Sequence, residues 1–339
     1  CLTNAGVVGV FCFDPTILTR DDIAPARMAF LLGCLKSLAQ DYLQAGSQLV
    51  FLHQDPTVGI PRLAGALSAK AVYWHHDVEP YAQIRDARVA DVLKQQSIEV
   101  YTDWDRLLHD PTTIKTGNQQ PYSVYTPFWR NWNSRSKPAP VEVKLPATKL
   151  TPTEHQALTQ LPVINLPTAK DLGFTWDKPL IFEPGTSAAE QQLLDFCHRS
   201  IFEYDTQRNY PAISGTSGLS AALKFGTIGI RTVWAATITA MAEARSDEAR
   251  AGITTWQQEL AWREFYQQAL YHFPTLAQGA YRAPFKHFPW RNDETLFTAW
   301  CQGKTGYPIV DAAMRQLNQT GWMHNRCRMI VASFLTKDL

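Results

Sequence analysis

The sequence has few charges, no long apolar run and no closely spaced cysteines. Only 19% of its 339 residues are charged and 45% are hydrophobic, which excludes a disordered or polyelectrolyte chain. No apolar run approaches the ~20 residues that a membrane span needs. The six cysteines include no Cys-x-x-Cys pair. This argues against a zinc site or a disulfide framework, so we expect no metal and a reducing, cytoplasmic location.

The chain also lacks a strong net charge and the common phosphate-binding motifs. A net charge of +1 gives no overall attraction to nucleic acid, so nucleic-acid binding requires a local patch. Residues 282–339 provide such a bias, with eight basic and four acidic side chains. Neither G-x-G-x-x-G nor G-x-x-x-x-G-K-[ST] occurs. The hydroxyl-rich segment Thr216–Ser220 can bind an anion before a helix, although Ser and Thr also cap ordinary helices.

Short apolar runs alternate with helical patterns in the first third of the chain. Strands are predicted at 7–13, 48–53, 71–74 and 98–101, with helices at 24–45, 60–67 and 81–95. This alternation predicts a doubly wound parallel sheet. Residues 111–190 are rich in Pro, Thr, Ser and Lys and predict a long connector. From residue 188 onward the periodicity is helical, which predicts an all-α second half.

Two segments of the second half combine stacking rings with polar groups. Glu259, Trp262, Arg263 and Tyr266 follow an i, i+3, i+4, i+7 spacing and therefore share one helix face. Such a face suits a cleft that stacks a flat ring and hydrogen-bonds its edge, and a salt-bridged domain junction fits the pattern about as well. The segment Gly321–Met329 places two arginines, a histidine and an asparagine among aromatic and thioether groups. These are ingredients of binding to a DNA backbone and an extruded base.

Four segments together resemble the signatures of the DNA photolyase/cryptochrome family: Thr216–Ser220, Trp256–Tyr266, Thr305–Arg315 and Gly321–Met329. Within the family the whole chain is similar to class I cyclobutane pyrimidine dimer (CPD) photolyases, especially cyanobacterial ones. The resemblance implies an α/β antenna domain at 1–110, a connector at 111–190 and a helical FAD- and DNA-binding domain at 191–339. It also implies a first strand before Cys1 and further helices after Leu339, so that the chain is a fragment lacking both ends. Inactivity of such a fragment would say nothing about the natural protein.

The resemblance implies a deoxyribodipyrimidine photo-lyase, which repairs CPDs in DNA when photoexcited reduced FAD transfers an electron to a flipped-out dimer. The implied FAD-binding residues are Tyr204, Thr216, Ser217, Gly218, Leu219, Ser220, Trp256, Glu259, Arg263, Asn325 and Arg328. The implied catalytic contacts to the dimer are Glu259, Trp262, Asn325 and Met329. The implied DNA contacts are Arg208, Glu259, Trp262, Arg326 and Met329.

Two further sets of residues follow from the resemblance. Trp290 matches the outermost tryptophan of an electron-transfer chain, and we interpret the nearby Trp300 as a packing residue. An antenna chromophore is implied to bind at Cys12, Arg27, Asp77, Glu79, Arg85 and Lys224. These residues favour 8-hydroxy-5-deazaflavin over methenyltetrahydrofolate as the antenna.

A cryptochrome, which is a blue-light receptor flavoprotein without repair activity, is the alternative to a repair enzyme. Glu259, Trp262 and Met329 in the lesion pocket favour repair. A (6-4) photolyase ranks lower, because that class expects several histidines in the pocket and the matched motif holds only His324. The sequence thus predicts a monomer whose partner is CPD-containing DNA, with no membrane and no protein partner.

Overall fold

The computed structural model describes residues 6–142 and 144–339, and its first part is an α/β body. Four apolar runs form strands that lie within two residues of their predicted bounds: β1 (Gly9–Phe13), β2 (Leu49–His53), β3 (Ala71–His75) and β4 (Glu99–Asp103). β1 pairs with β2 and β3 pairs with β4, both in parallel. The parallel pairing and the intervening helices confirm the predicted α/β class.

Each helix of this body has a proline at its first helical position. They are α1 (Pro15–Leu18), α2 (Pro25–Gln44), α3 (Pro56–Ala66) and α4 (Pro80–Gln95). The carboxylate of Asp55 accepts the backbone N–H of Thr57 at 2.8 Å, and proline at the first helical position has its backbone dihedral preset for a helix. α3 therefore begins four residues before the predicted start at residue 60.

The connector contributes to both parts of the molecule. It forms α5 (Tyr125–Ser134), α6 (Pro152–Leu158) and the two-residue strand β5 (Val163–Ile164). β5 pairs antiparallel with β2, an addition that the sequence reading missed. α5 instead inserts the fully buried side chains of Phe128 and Trp132 among the helices of the second part. The division of the chain at residues 110 and 190 stays a prediction.

The second part is helical, as predicted. Its α-helices are α7 (Thr186–His198), α8 (Tyr204–Gln207), α9 (Ser220–Phe225), α10 (Ile230–Glu243), α11 (Asp247–His272), α12 (Glu294–Gln302), α13 (Pro308–Thr320) and α14 (Asn325–Lys337). α11 begins seven residues before its predicted start, because the Ser246 hydroxyl caps the helix and accepts the N–H of Ala249 at 3.1 Å. No helix in the described part of the chain is long and apolar enough to cross a membrane.

α11 lies unusually close to the turn that precedes α8. A Cβ atom on Gly252 would lie 2.6 Å from the carbonyl oxygen of Phe202 and 2.8 Å from that of Ile201. Only glycine allows this approach, since those contacts are with backbone. The approach places the middle of α11 beside Tyr204 and the loop that leads to α9.

The two parts of the molecule meet along α2. The ring of Phe30 on α2 packs against that of Phe225 on α9, with centroids 5.6 Å apart. Gly33, one turn further along α2, leaves room for Pro184 from the segment before α7. These contacts bring the start of α2 next to α9. A second cavity, described below, lies there.

Candidate cofactor and nucleic-acid site

One cavity of about 400 Å³ opens among α8, α9, α11 and the start of α14. It is lined by every residue that the resemblance assigns to FAD: Tyr204, Thr216, Ser217, Gly218, Leu219, Ser220, Trp256, Glu259, Arg263, Asn325 and Arg328. These residues come from segments more than 100 positions apart in the sequence. The fold therefore brings them together around one space. Leu260, Gln267, Trp322 and Met323 also line the cavity, and the sequence reading did not assign them to it.

The loop before α9 offers backbone donors to this cavity. Gly218 has φ +64°, and a Cβ there would overlap the side chains of Gln192 and Phe182 behind the loop. The Gln192 amide donates to the carbonyl of Ser217 at 2.7 Å and fixes the loop against α7. Among the described residues, no carbonyl accepts the backbone N–H groups of Thr216, Ser217 or Gly218. Successive free amides in such a turn suit the oxygens of a phosphate group.

α11 lines the cavity with the indole of Trp256, the carboxyl group of Glu259 and the guanidinium of Arg263. Trp256 is 3% exposed and packs on Phe196. The guanidinium of Arg263 donates to the carbonyl of Arg106 at 2.9 Å. Burial, followed by the neighbouring positive charge of Arg106, holds the pKa of Arg263 below its ordinary value. Since the ordinary pKa of an arginine lies far above neutral pH, we expect Arg263 to stay charged and available to an anionic ligand.

α14 forms the opposite wall. The buried side chain of His324 caps α14 and accepts the N–H of Arg326 at 3.1 Å. Asn325 and Arg328 then begin the helix at the edge of the cavity. Arg328 donates to the carbonyl of Met323 at 3.2 Å and forms no ion pair within residues 6–142 and 144–339. A flat, phosphate-bearing cofactor fits this set of loop amides, guanidinium groups and an indole.

The residues predicted to contact damaged DNA lie on and beside this cavity. Glu259 lines it and forms an ion pair with Arg208, with Nη1 and Oε1 2.5 Å apart. Trp262 lies one turn further along α11 and stacks on Tyr125. On α14, Arg326 donates twice to Asn209, at 2.8 and 3.0 Å, and Met329 is 56% exposed. Cationic and apolar groups thus share one surface at the mouth of the cavity.

The predicted antenna residues fall into two neighbouring groups. In the first, Cys12 donates to the carbonyl of Gln54 at 3.1 Å, and the Arg85 guanidinium lies 3.9 Å from the buried carboxylate of Asp14. Burial raises the pKa of the Cys12 thiol to about 11, so this thiol stays protonated near neutral pH.

The second antenna group lies at the junction of the two parts. Asp77 pairs with Arg106, and its carboxylate also accepts the N–H of Glu79 at 3.2 Å. Arg27 and Lys224 line a cavity of about 320 Å³ between α2 and α9, which also contacts Ser220 and Arg328. This second cavity is therefore adjacent to the first.

The two tryptophans near residue 300 have different environments. Trp290 is 51% exposed, packs on Phe288 and lies outside the residues that line the candidate cofactor cavity. Trp300 packs against the cluster formed by α13 and α14, and its indole donates to the carbonyl of Val331 at 3.1 Å. Trp300 is thus a packing residue, as the sequence suggested.

A short segment after β4 connects the α/β body to α11 of the helical part. The sequence reading missed this connection. We call residues 106–111 the strap. The Arg106 side chain pairs with Asp77 while its carbonyl accepts from Arg263. Glu264, the next residue on α11, accepts the N–H groups of Leu108 and His109 at 2.9 and 3.1 Å. No local pattern reveals such bonds, because the partners are separated by about 155 positions.

Glu264 makes the attachment of the strap sensitive to pH. It is 1% exposed, and burial raises the pKa of its carboxyl to about 7 from 4.5. The unfolded chain therefore loses this proton at lower pH than the folded chain does. The stability that the raised pKa of Glu264 contributes is fully present below pH 4.5 and is lost as pH rises through 7. We expect the free energy of unfolding of the wild type, relative to Glu264→Gln, to fall by about 3 kcal/mol between pH 4 and pH 8. Urea titrations at both pH values measure this difference, and a difference that does not change with pH would contradict it.

Comparisons with known proteins agree with this arrangement. The family model described as DNA photolyase matches residues 2–149, and the model described as the FAD binding domain of DNA photolyase matches residues 256–339. A deoxyribodipyrimidine photo-lyase of Synechococcus sp. is 58% identical over 336 residues, which cover 99% of this chain and 69% of that protein. Among solved structures, a class III photolyase from Agrobacterium tumefaciens has TM-score 0.84 and 34% identity, over 99% of this chain and 68% of that one. A cryptochrome from Synechocystis sp. also has TM-score 0.84, with 25% identity, over 98% of this chain and 69% of that one.

The fold and the cavity define a two-part flavoprotein class, in which an α/β body is joined to a helical cofactor-binding body. The chain belongs to the DNA photolyase/cryptochrome family.

Proposed function

We propose that the protein is a deoxyribodipyrimidine photo-lyase that uses light to repair CPDs in DNA. The observation that carries the proposal is the single cavity lined by all the residues assigned to FAD, with Glu259 on its wall and Trp262 beside it. The 58% identity to a photo-lyase supports the same reading. The enzyme works as a monomer and needs no protein partner.

Backbone amides, arginines and apolar side chains of the cavity together bind FAD. The amides of Thr216, Ser217 and Gly218 bind phosphate oxygens, and Arg263 and Arg328 add positive charge. Trp256 and Leu260 supply the apolar surface of α11. Reduced FAD, when bound, supplies the electron that light makes available.

The mouth of the cavity binds the damaged DNA. Arg326 and Arg208 offer positive charge to the phosphate backbone, and Trp262 offers an indole face to a flat ring. Glu259 accepts hydrogen bonds from the dimer, and Arg208 keeps its carboxylate in place at the edge of the cavity. Extruding a dimer costs less than extruding a normal pair because damaged bases stack poorly.

The second cavity is our candidate for the antenna chromophore. Arg27 and Lys224 give it a cationic lining, and Asp77 and Glu79 lie close to Lys224. We propose 8-hydroxy-5-deazaflavin as the occupant and methenyltetrahydrofolate as the alternative. Because the two cavities share Ser220, Lys224, Trp322 and Arg328, an antenna bound there lies next to FAD.

The proposal is tested by light-dependent repair. The protein is loaded with FAD, reduced, bound to a thymine-dimer oligonucleotide and illuminated with near-UV or blue light while absorbance at 260 nm is followed. We expect absorbance to recover in light and to stay constant in the dark or with undamaged DNA. Lesion binding without recovery, or no lesion binding at all, would overturn the repair assignment in favour of a cryptochrome-type receptor.

A further inference from the structure

Trp262 does not stand alone beside the cavity, because a ring from the connector covers one of its faces. Tyr125, the first residue of α5, stacks on the indole with ring centroids 3.5 Å apart and an interplanar angle of 7°. Parallel contact at this distance leaves no space for a second ring between the two. A flat ligand can therefore stack on Trp262 only from the face that Tyr125 leaves free.

Tyr125 is itself held at several points. Its hydroxyl donates to the carbonyl of Gln258 on α11 at 2.8 Å. Its ring meets the edge of Phe265 at 5.8 Å, and Phe265 also meets Trp262 edge to face at 5.6 Å. The phenol stays neutral, since burial and then the charge of Glu259 raise its pKa. The stack is thus anchored to the helix that carries Glu259 and Trp262.

The indole has a second aromatic neighbour that is less constrained. Tyr266, one turn after Trp262, stacks on it with ring centroids 5.6 Å apart and an interplanar angle of 24°, and Tyr266 is 65% exposed. An exposed tyrosine can change rotamer at little cost, whereas the buried contacts of Tyr125 cannot be released without opening the aromatic cluster. The indole therefore has one fixed neighbour and one movable neighbour.

We propose that Tyr125 is a positioning residue of the lesion site: it sets the plane of the Trp262 indole and reserves a single indole face for the extruded bases. The proposal rests on the proposed function for its ligand, but not for the geometry of the stack. Tyr125 acts through Trp262, so its effect on lesion binding should vanish when the indole is absent.

The first test measures the stack without any ligand. We expect the Trp262 indole of Tyr125→Leu to react several-fold faster with N-bromosuccinimide than that of the wild type, as followed by peptide mass spectrometry. Tyr122→Leu is the matched control, because Tyr122 lies in the same connector and packs on the same aromatic cluster. Equal oxidation rates of Trp262 in the wild type and Tyr125→Leu would overturn the proposal.

The second test measures lesion binding in a double-mutant cycle. Tyr125→Leu should weaken binding of a thymine-dimer oligonucleotide about two- to tenfold, the range for one aromatic pair, and leave undamaged DNA binding unchanged. In a Trp262→Leu background the same substitution should change lesion affinity by less than about twofold. An equal loss in both backgrounds would show that Tyr125 acts on general folding and would overturn the proposal.

The two tests separate the two possible failures. If the unmodified protein does not distinguish damaged from undamaged DNA, the proposed function fails, and the oxidation result still decides whether Tyr125 holds the indole. Tyr125→Phe retains the ring and loses only the bond to Gln258. It should therefore keep lesion affinity within about threefold of the wild type, and a loss as large as that of Tyr125→Leu would count against stacking as the cause.

Discussion

Trp262→Ala is expected to lower the affinity for a thymine-dimer oligonucleotide by about 5- to 150-fold, because one base stacked on an aromatic side chain contributes ~1–3 kcal/mol. The substitution removes the indole but leaves the cofactor cavity intact, since Trp262 is not among its lining residues. FAD content should therefore stay the same. Fluorescence anisotropy with damaged and undamaged oligonucleotides measures the effect, and the loss should be confined to damaged DNA.

Trp290→Ala is the matched control for this prediction. Trp290 is half exposed and lies away from the residues that line the cavity. Its removal should leave lesion affinity, and repair with chemically reduced FAD, unchanged. If Trp290→Ala and Trp262→Ala lose lesion affinity equally, the assignment of Trp262 to the lesion is wrong.

Gly218→Ala is expected to lower FAD affinity by about 100-fold or more, which corresponds to about 2.8 kcal/mol. The backbone at Gly218 has φ +64°, and a Cβ there would overlap Gln192 and Phe182. We expect the loop to shift in response, because the Phe182 ring also blocks the Cβ and the Gln192 amide is held by its bond to the carbonyl of Ser217, and such a shift would displace the amides of Thr216 and Ser217. Flavin fluorescence on titration of the apoprotein measures the change.

Gly226→Ala separates this effect from ordinary backbone strain. Gly226 ends α9 with φ +74°, but a Cβ there would meet nothing within 4 Å. Both variants carry the ~1–2 kcal/mol cost of a left-handed alanine, so both should unfold at a lower temperature. Only Gly218→Ala should lose FAD, and equal loss in both variants would mean that the loop does not hold the cofactor.

The order of strands and helices was predictable because it depends on local periodicity. The segment 48–53 has an uninterrupted apolar run at 49–52, and 230–244 follow a helical repeat, so both elements ended within two residues of expectation. The early starts of α3 and α11 were missed because Asp55 and Ser246 cap helices whose first turns carry few apolar residues. β5 has two residues and exists through its pairing with β2, which no local pattern encodes.

The candidate site could be located from motifs, but its internal bonds could not. The resemblance identified Glu259 and Arg263 by their positions within a recognisable segment. The ion pair of Glu259 with Arg208, and the stack of Tyr125 on Trp262, join residues 51 and 137 positions apart. Tyr125 lay in a visibly aromatic segment, yet its partner was set by tertiary packing. The buried Glu264 gave no signal, since a glutamate within a helix normally faces solvent.

The strap changes how the molecule can open. Segments that connect domains usually fluctuate independently, at a small fraction of the global free energy of unfolding. Here the backbone amides of Leu108 and His109 donate to the side chain of Glu264, which is 1% exposed. Further along the chain, Phe128 and Trp132 are buried in the helical core. We therefore expect the backbone amides of Leu108 and His109 to exchange with solvent more slowly than those of an exposed connecting segment. We expect an opening motion that admits a cofactor or an extruded base to hinge outside the strap.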